Sequence, residues 1–116
     1  MIETPIERIT EYHAHVYYDA ETKSAAADLR AAIEERFGGL RMGRWHDRPV
    51  GPHPCWSYQI AFDPDRFGSL VPWLALNRGS LVIFVHPTTG DAIADHTRHA
   101  LWLGRQVELN LDALSG

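Results

Sequence analysis

The chain has 116 residues, 45% hydrophobic and 22% charged, with a formal net charge of -4. That length and composition suit one globular domain over residues 1–116, able to bury roughly two thirds of its unfolded surface. The acidic balance leaves no basic footprint for nucleic acid, and no apolar run approaches the ~20 residues of a membrane span.

A single cysteine, Cys55, excludes an internal disulfide and a cysteine-based zinc cluster, and is expected to be a packing residue. The N-terminus lacks the basic-then-apolar pattern of a signal peptide, so a cytoplasmic location is expected. Seven histidines are the compositional outlier.

Residues 1–10, with Pro5, read as a lead-in, and a first strand is expected over residues 9–18. Alternate strand residues point to opposite faces, so Tyr12, Ala14 and Val16 share one side and Glu11, His13, His15 and Tyr17 the other. His13 and His15 then stand about 7 Å apart at their bases, close enough to converge on one metal ion. A half-exposed edge strand with its histidines in water fits the same spacing. Asp19 or Thr22 can cap the helix that follows. Over residues 22–37, Ala26, Leu29, Ile33 and Phe37 form an apolar stripe, and Gly38-Gly39 suits a left-handed C-terminal stop.

A second strand is expected over residues 40–46, with Leu40 and Met42 on one phase. The loop 46–54 carries three prolines around His53, and their fixed φ angles make an ordered segment. Residues 56–62 alternate as a third strand: Trp56, Tyr58, Ile60 and Phe62 against Ser57, Gln59 and Ala61. A second helix follows Asp63-Pro64, its stripe being Phe67, Leu70, Val71, Leu74 and Ala75. Pro72 must fall in a first turn or mark a kink. Residues 81–86 read as a buried fourth strand and 87–90 as a turn. A short helical stretch over 92–102 puts His96 and His99 on one face, and 107–111 alternates as a possible fifth strand.

The order strand, helix, strand, strand, helix, strand predicts an α+β fold of the ferredoxin-like βαββαβ type, with a C-terminal helix and strand as an extension. Its two helices cover one face of an antiparallel sheet, and the first strand lies between the third and the fourth. The other face needs a cover: a partner subunit, the C-terminal segment or a ligand cavity. An uncovered apolar face would mark a homodimer interface.

This topology makes the first and fourth strands neighbours, roughly 5 Å apart. His86 shares a phase with Val82 and Phe84 and can join His13 and His15 as the ligands of a divalent first-row metal, although a one-residue slip would send it to the helix side. Glu11 is a reserve ligand. It lies roughly 13 Å along the strand from His15, so as a ligand it would work with His13 and leave His15 another task. His53 is the candidate general base, with a solvent-facing turn as the plain alternative. His96 and His99 either line the same cavity or sit on the surface. Arg44 and His46 are candidates for binding an anionic group, with Tyr17 beside the substrate or simply in the core.

Several segments in fixed order resemble the DOPA 4,5-dioxygenase family: residues 11–18, Gly43-Arg44 with the loop 49–54, Trp56-Ser57-Tyr58-Gln59, Leu76-Asn77-Arg78-Gly79, His86-Pro87, Asp95-His96 and Trp102-Leu103-Gly104. The likeness covers nearly the whole chain. It implies a small, typically dimeric ferredoxin-like protein whose fungal relatives open the ring of L-DOPA by extradiol cleavage with non-haem iron(II), on the way to betalain-type pigments. Bacterial members are commonly described only as candidate dioxygenases, so the chemistry carries over to some catechol more readily than the named substrate does.

By matching motif positions, His13, His15, His53, His86 and His96 carry the site. Strand phase then assigns His13, His15 and His86 to the metal, leaving His53 and His96 for acid–base work. Iron(II) is the expected metal, with zinc or another divalent ion in a purified sample, and a catechol and O2 are the expected substrates. A non-catalytic metal- or small-ligand-binding dimer is the alternative. A metal-free monooxygenase or isomerase acting on a phenol is a third reading, and it predicts that His13→Ala keeps its activity.

Overall fold

The computed structural model describes residues 3–114. Its regular elements are β1 (Glu11–Tyr18), α1 (Lys23–Arg36), β2 (Arg41–Met42), β3 (Trp56–Phe62), α2 (Phe67–Asn77), β4 (Val82–Thr88), α3 (Ala92–Asp95) and β5 (Leu101–Leu103). The five strands form one antiparallel sheet in the order β2-β3-β1-β4-β5. This is the ferredoxin-like βαββαβ arrangement with one strand added at the β4 edge, and β1 lies between β3 and β4.

The helices form where the apolar stripes predict. Ala26, Leu29 and Ile33 of α1 and Leu70, Val71 and Leu74 of α2 are buried on one face of the sheet. They pack there against Ala14, Val16, Ile60, Phe62, Ile83 and Val85. Asp19 shapes the entry to α1, its carboxylate accepting from the amides of Glu21 and Thr22. Thr22 is the N-cap, but its side chain makes no capping bond. After α1 the chain turns at Gly39, whose φ of 79° lies in the left-handed region that glycine enters at no steric cost. Pro72 is the sixth residue of α2, beyond the first turn, so it offers no amide to the carbonyl of Gly68. Gly68 is exposed, and water can take that place.

Four boundaries differ from the expectation. The strand over 40–46 is regular only at Arg41–Met42. The Gly43 amide bonds to Gln59 and that of His46 to Ser57, so Arg44 and Trp45 together face Tyr58. Such a two-against-one bulge interrupts the ladder and turns Trp45 onto the rings of Tyr18 and Tyr58.

Pro87 is not in a turn but inside β4, opposite Tyr12. The β5 pairing ends at Val85–Leu101, so no strand on that side needs the amide proline lacks. The helix over 92–102 stops at Asp95, and Leu101–Leu103 is a strand instead. The free edge of β4 supplies backbone partners that a short exposed helix cannot match. Residues 107–111 form no strand; Val107 and Leu109 instead pack on Tyr17, Val82 and Phe84.

That packing answers what covers the second face. At one end the C-terminal segment, with Cys55, Ala100 and Trp102, lies over Tyr17, Val82 and Phe84. At the other end the sheet is open to a cleft.

Candidate metal centre

Two registers build the cleft. Along β1, His13 and His15 point to the face opposite the helices, because Ala14 and Val16 between them are buried in the helix-side core. On β4 the same core holds Ile83 and Val85, which leaves Phe84 and His86 on the cleft side. The β1–β4 pairing then sets His13 directly opposite His86. His13, His15 and His86 each offer a nitrogen, and those atoms all lie within 4.8 Å of one another. The Nε2 atoms of His15 and His86 approach to 3.1 Å.

His53 reaches the same place from the proline loop. Its amide donates to the carbonyl of Val50, and the amide of Asn110 donates to that of Pro52, so the loop is tied on both sides. The ring of His53 lies 4.0 Å from that of His15, centroid to centroid, and its Nδ1 shares a 2.7 Å hydrogen bond with the Tyr17 hydroxyl. His96, just past α3, closes the opposite side with its ring 4.1 Å from that of His86. Its Nδ1 lies 2.7 Å from the carbonyl of Ala92, which can only accept, so Nδ1 carries the proton.

The five rings line a cleft of about 330 Å³ together with Gln59, Thr88 and Asp95. A cavity of about 360 Å³ on the other side of Tyr17 is slightly larger, and Cys55 and Arg105 line it. The histidines, not the size, mark the site.

Burial sets the protonation of these rings. Only 5% of His15 and 2% of His86 is exposed. Desolvation, reinforced by the neighbouring imidazoles, holds His15 well below the ordinary histidine value. The same two causes push His53 down to about 3. His86 is pushed down to about 4, again chiefly by desolvation, against an opposing bond to the Pro87 carbonyl. At neutral pH these three rings are uncharged and keep lone pairs for a cation.

Not every expected site residue lies here. Tyr17 lines the second cavity and reaches the cleft only through His53. Arg44 is exposed and His46 is held in a bridge with Ser57 at the sheet edge; neither lines the cleft. The bulge turns Trp45 onto the helix-side core and leaves Arg44 in solvent. His99 does not share the cleft with His96, because its Nδ1 lies 2.9 Å from Asp95 and its ring faces a separate groove beside Pro87. Glu11 is not among the three clustered donors; its carboxylate lies against His13, 2.6 Å from Nε2.

Gln59, Thr88 and Asp95 also line the cleft, and no local sequence pattern marks them as site residues. Gln59 lies opposite His15 in the β1–β3 register. Its phase in the third strand and the neighbouring first strand follow from the sequence, but the register that sets it opposite His15 does not. Asp95 is buried and accepts from the amide and hydroxyl of Thr89, a contact that depends on how the chain turns after β4.

With this geometry in view, comparison with known proteins is specific. The profile described as Dopa 4,5-dioxygenase family matches residues 12–113. An uncharacterised 21.2 kDa protein of Botryotinia fuckeliana is 36% identical over 86% of this chain and 61% of its own length. A DOPA 4,5-dioxygenase of Amanita muscaria is 36% identical over 89% of this chain and 49% of its own. The chain thus spans about half to three fifths of these two curated relatives. The crystal structure of a candidate dioxygenase from Nostoc punctiforme superposes with a TM-score of 0.94 at 47% identity, covering 97% of each chain.

Proposed function

The chain belongs to the Dopa 4,5-dioxygenase family, and on that premise we propose that it is an extradiol ring-cleaving dioxygenase acting on L-DOPA or a related catechol with O2. The observation that carries this reading is the convergence of His13, His15 and His86 within 4.8 Å, in a cleft that His53 and His96 also line.

The donor set fits a metal. Three imidazoles suit a borderline first-row ion such as iron(II), or zinc in its place, and no thiolate is required. When bound, such a metal supplies open positions that hold the reactants together and lower the pKa of the catechol hydroxyls.

The chain's own groups then have separate tasks. His13, His15 and His86 hold the ion, and burial keeps His15 and His86 free of competing protons. His53 takes the second catechol proton, the negative charge of the bound substrate offsetting the desolvation that keeps its ring neutral in the free protein. The Tyr17 hydroxyl beside its Nδ1 both donates and accepts, so it can follow the ring through either protonation state. His96, protonated at Nδ1, keeps its Nε2 lone pair as a second base. Phe84 and Trp102, with ring centroids 4.4 Å apart, form the apolar wall that excludes water behind the site. A cleft of about 330 Å³ suits a single-ring substrate. Both oxygen atoms of O2 end in the ring-opened muconic semialdehyde, which cyclises without further catalysis.

The test is anaerobic reconstitution with iron(II), addition of L-DOPA or caffeate, then oxygen, with the yellow ring-opened product followed by absorbance. Stoichiometric iron without turnover across a panel of catechols would sink the enzymatic reading and leave a metal-binding protein on the same scaffold. Full activity in His13→Ala would instead favour metal-free chemistry.

A further inference from the structure

We propose that Glu11 is a positioning residue for this centre, deciding which nitrogen His13 presents, and that Arg41 braces Glu11 from across the sheet. The inference rests on the metal-binding reading of the histidine cluster.

Glu11 opens β1 two residues before His13 and points to the same face. Its Oε2 lies 2.6 Å from His13 Nε2, and its Oε1 accepts from Arg41 Nη2 at 2.7 Å. Arg41 belongs to β2, two strands away from β1, and the registers explain how it reaches. Arg41 pairs with Ala61, and Ala61 pairs with His13. The three residues thus lie in one row across the sheet, with a methyl group in the middle. A larger side chain at 61 would stand between the guanidinium and the carboxylate; alanine lets them meet above it.

The chemistry follows from what each atom can do. A carboxylate paired with a guanidinium offers only acceptor oxygens, so with Oε1 taken by Arg41, His13 donates from Nε2 to Oε2. In a neutral imidazole the proton at Nε2 leaves the lone pair at Nδ1. Glu11 therefore selects Nδ1 of His13 as the metal-facing atom. His86 is set by the same logic at its other nitrogen: Nδ1 lies 2.8 Å from the Pro87 carbonyl, which leaves the Nε2 lone pair facing His15. Partners of this kind on the far nitrogen orient a ligand ring and raise its basicity. For His86 the partner is backbone. For His13 it is a side chain, which makes the device testable.

Cobalt(II) titration, followed by its visible d–d absorption, gives a readout independent of turnover. Wild-type protein is expected to bind one equivalent; failure at that step would overturn the metal reading itself, and this inference with it. Glu11→Gln replaces one of the two carboxylate oxygens with an NH2 group, which cannot accept from the donor it then faces, Arg41 or His13. It is expected to weaken cobalt about 10–100-fold while leaving the band shape unchanged, since the same three rings still bind. Arg41→Ala should cost a smaller factor in the same direction.

The decisive arm is the pair His13→Ala and Glu11→Gln/His13→Ala. If Glu11 acts through His13, the double variant binds cobalt no more weakly than His13→Ala alone. Wild-type affinity in Glu11→Gln, an altered band shape in that variant, or additive losses in the double variant would each overturn the inference. The last two would make Glu11 a direct ligand or a general electrostatic contributor. Glu11 is about one-third exposed, so the isosteric change leaves the core untouched, and circular dichroism confirms folding for each variant.

Discussion

A buried imidazole is a costly group unless it has a task, and this cleft gathers three of them. His15, His53 and His86 have folded pKa values below the ordinary histidine value of 6.5, all through desolvation first. Above pH 6.5 these rings are neutral in both the folded and unfolded chain, and their contribution to stability is fully present. As pH falls below 6.5 the unfolded chain takes up protons that the folded chain refuses until about pH 4 at His86 and about pH 3 at His53. Stability must therefore fall with acid across that window, by up to about 1.4 kcal/mol per ring per pH unit. Urea denaturation of metal-free protein at pH 7 and pH 5 should show the midpoint dropping, and His15→Gln should flatten the slope. Equal midpoints at the two pH values would contradict the burial argument.

The same rings give the sharpest loss on substitution. His86→Ala removes one of the three convergent nitrogens. Isothermal titration with zinc should show affinity falling by more than the ~10–100-fold typical of a residue that only supports a ligand. An unchanged isotherm would mean that His86 serves packing alone.

At the scale of elements, the site depends on two strands keeping phase, and the helix-side core enforces that phase. Ile83 is fully buried between α1, α2 and the sheet, one residue from Phe84. Ile83→Ala should cost about 2–5 kcal/mol in chemical denaturation. Because it loosens the register of β4, metal affinity should weaken with it, even though Ile83 faces away from the cleft.

The turn after β5 is a second sensitive point. Gly104 has φ of 96°, and a Cβ there would approach Arg78 Nη1 to 2.9 Å. Gly104→Ala should lower stability by about 1–3 kcal/mol through the left-handed backbone alone, read from thermal melts.

These elements also show which sequence signals suffice. The eight-residue β1, the seven-residue β3 and both long helices carry enough periods for the pattern to be unambiguous. The three residues Leu101–Leu103 do not. Their neighbours His96 and His99 read equally well as one helix face, and only the open edge of β4 makes a strand the better solution.

Over the whole molecule, the question is how a ferredoxin-like sheet disposes of the face its helices leave bare. Here the C-terminal segment and the proline loop cover one end and the histidine cleft occupies the other. An uncovered apolar face therefore no longer argues for a homodimer. The large apolar side chains that remain exposed include Ile6 and Leu76, on the N-terminal turn and α2. Light scattering at micromolar concentration decides the matter: the chain mass of 13.1 kDa would end the homodimer expectation, and twice that would sustain it.

No helix among the described residues is long and apolar enough to cross a membrane. The family match over residues 12–113 takes in the regular elements from β1 to β5 except the first residue of β1, Glu11. The motifs that carried the resemblance are thus spread along the fold and not confined to one loop.

What the sequence by itself determined was local and periodic. Alternation put His13 and His15 on one face, helical spacing named the residues of the core, and element order implied the topology that makes β1 and β4 neighbours. Those inferences hold because side-chain period and chain connectivity are properties of the chain before it folds. Register, tautomer and enclosure were decided only in three dimensions. His86 meets His13 because Ile83 and Val85 are claimed by the core on the other side. His53 enters because its loop is tied at Val50 and Asn110. Glu11 serves His13 because Arg41 reaches it over Ala61, two strands away. Each of these depends on a partner distant in sequence, and no local pattern encodes which partner that will be.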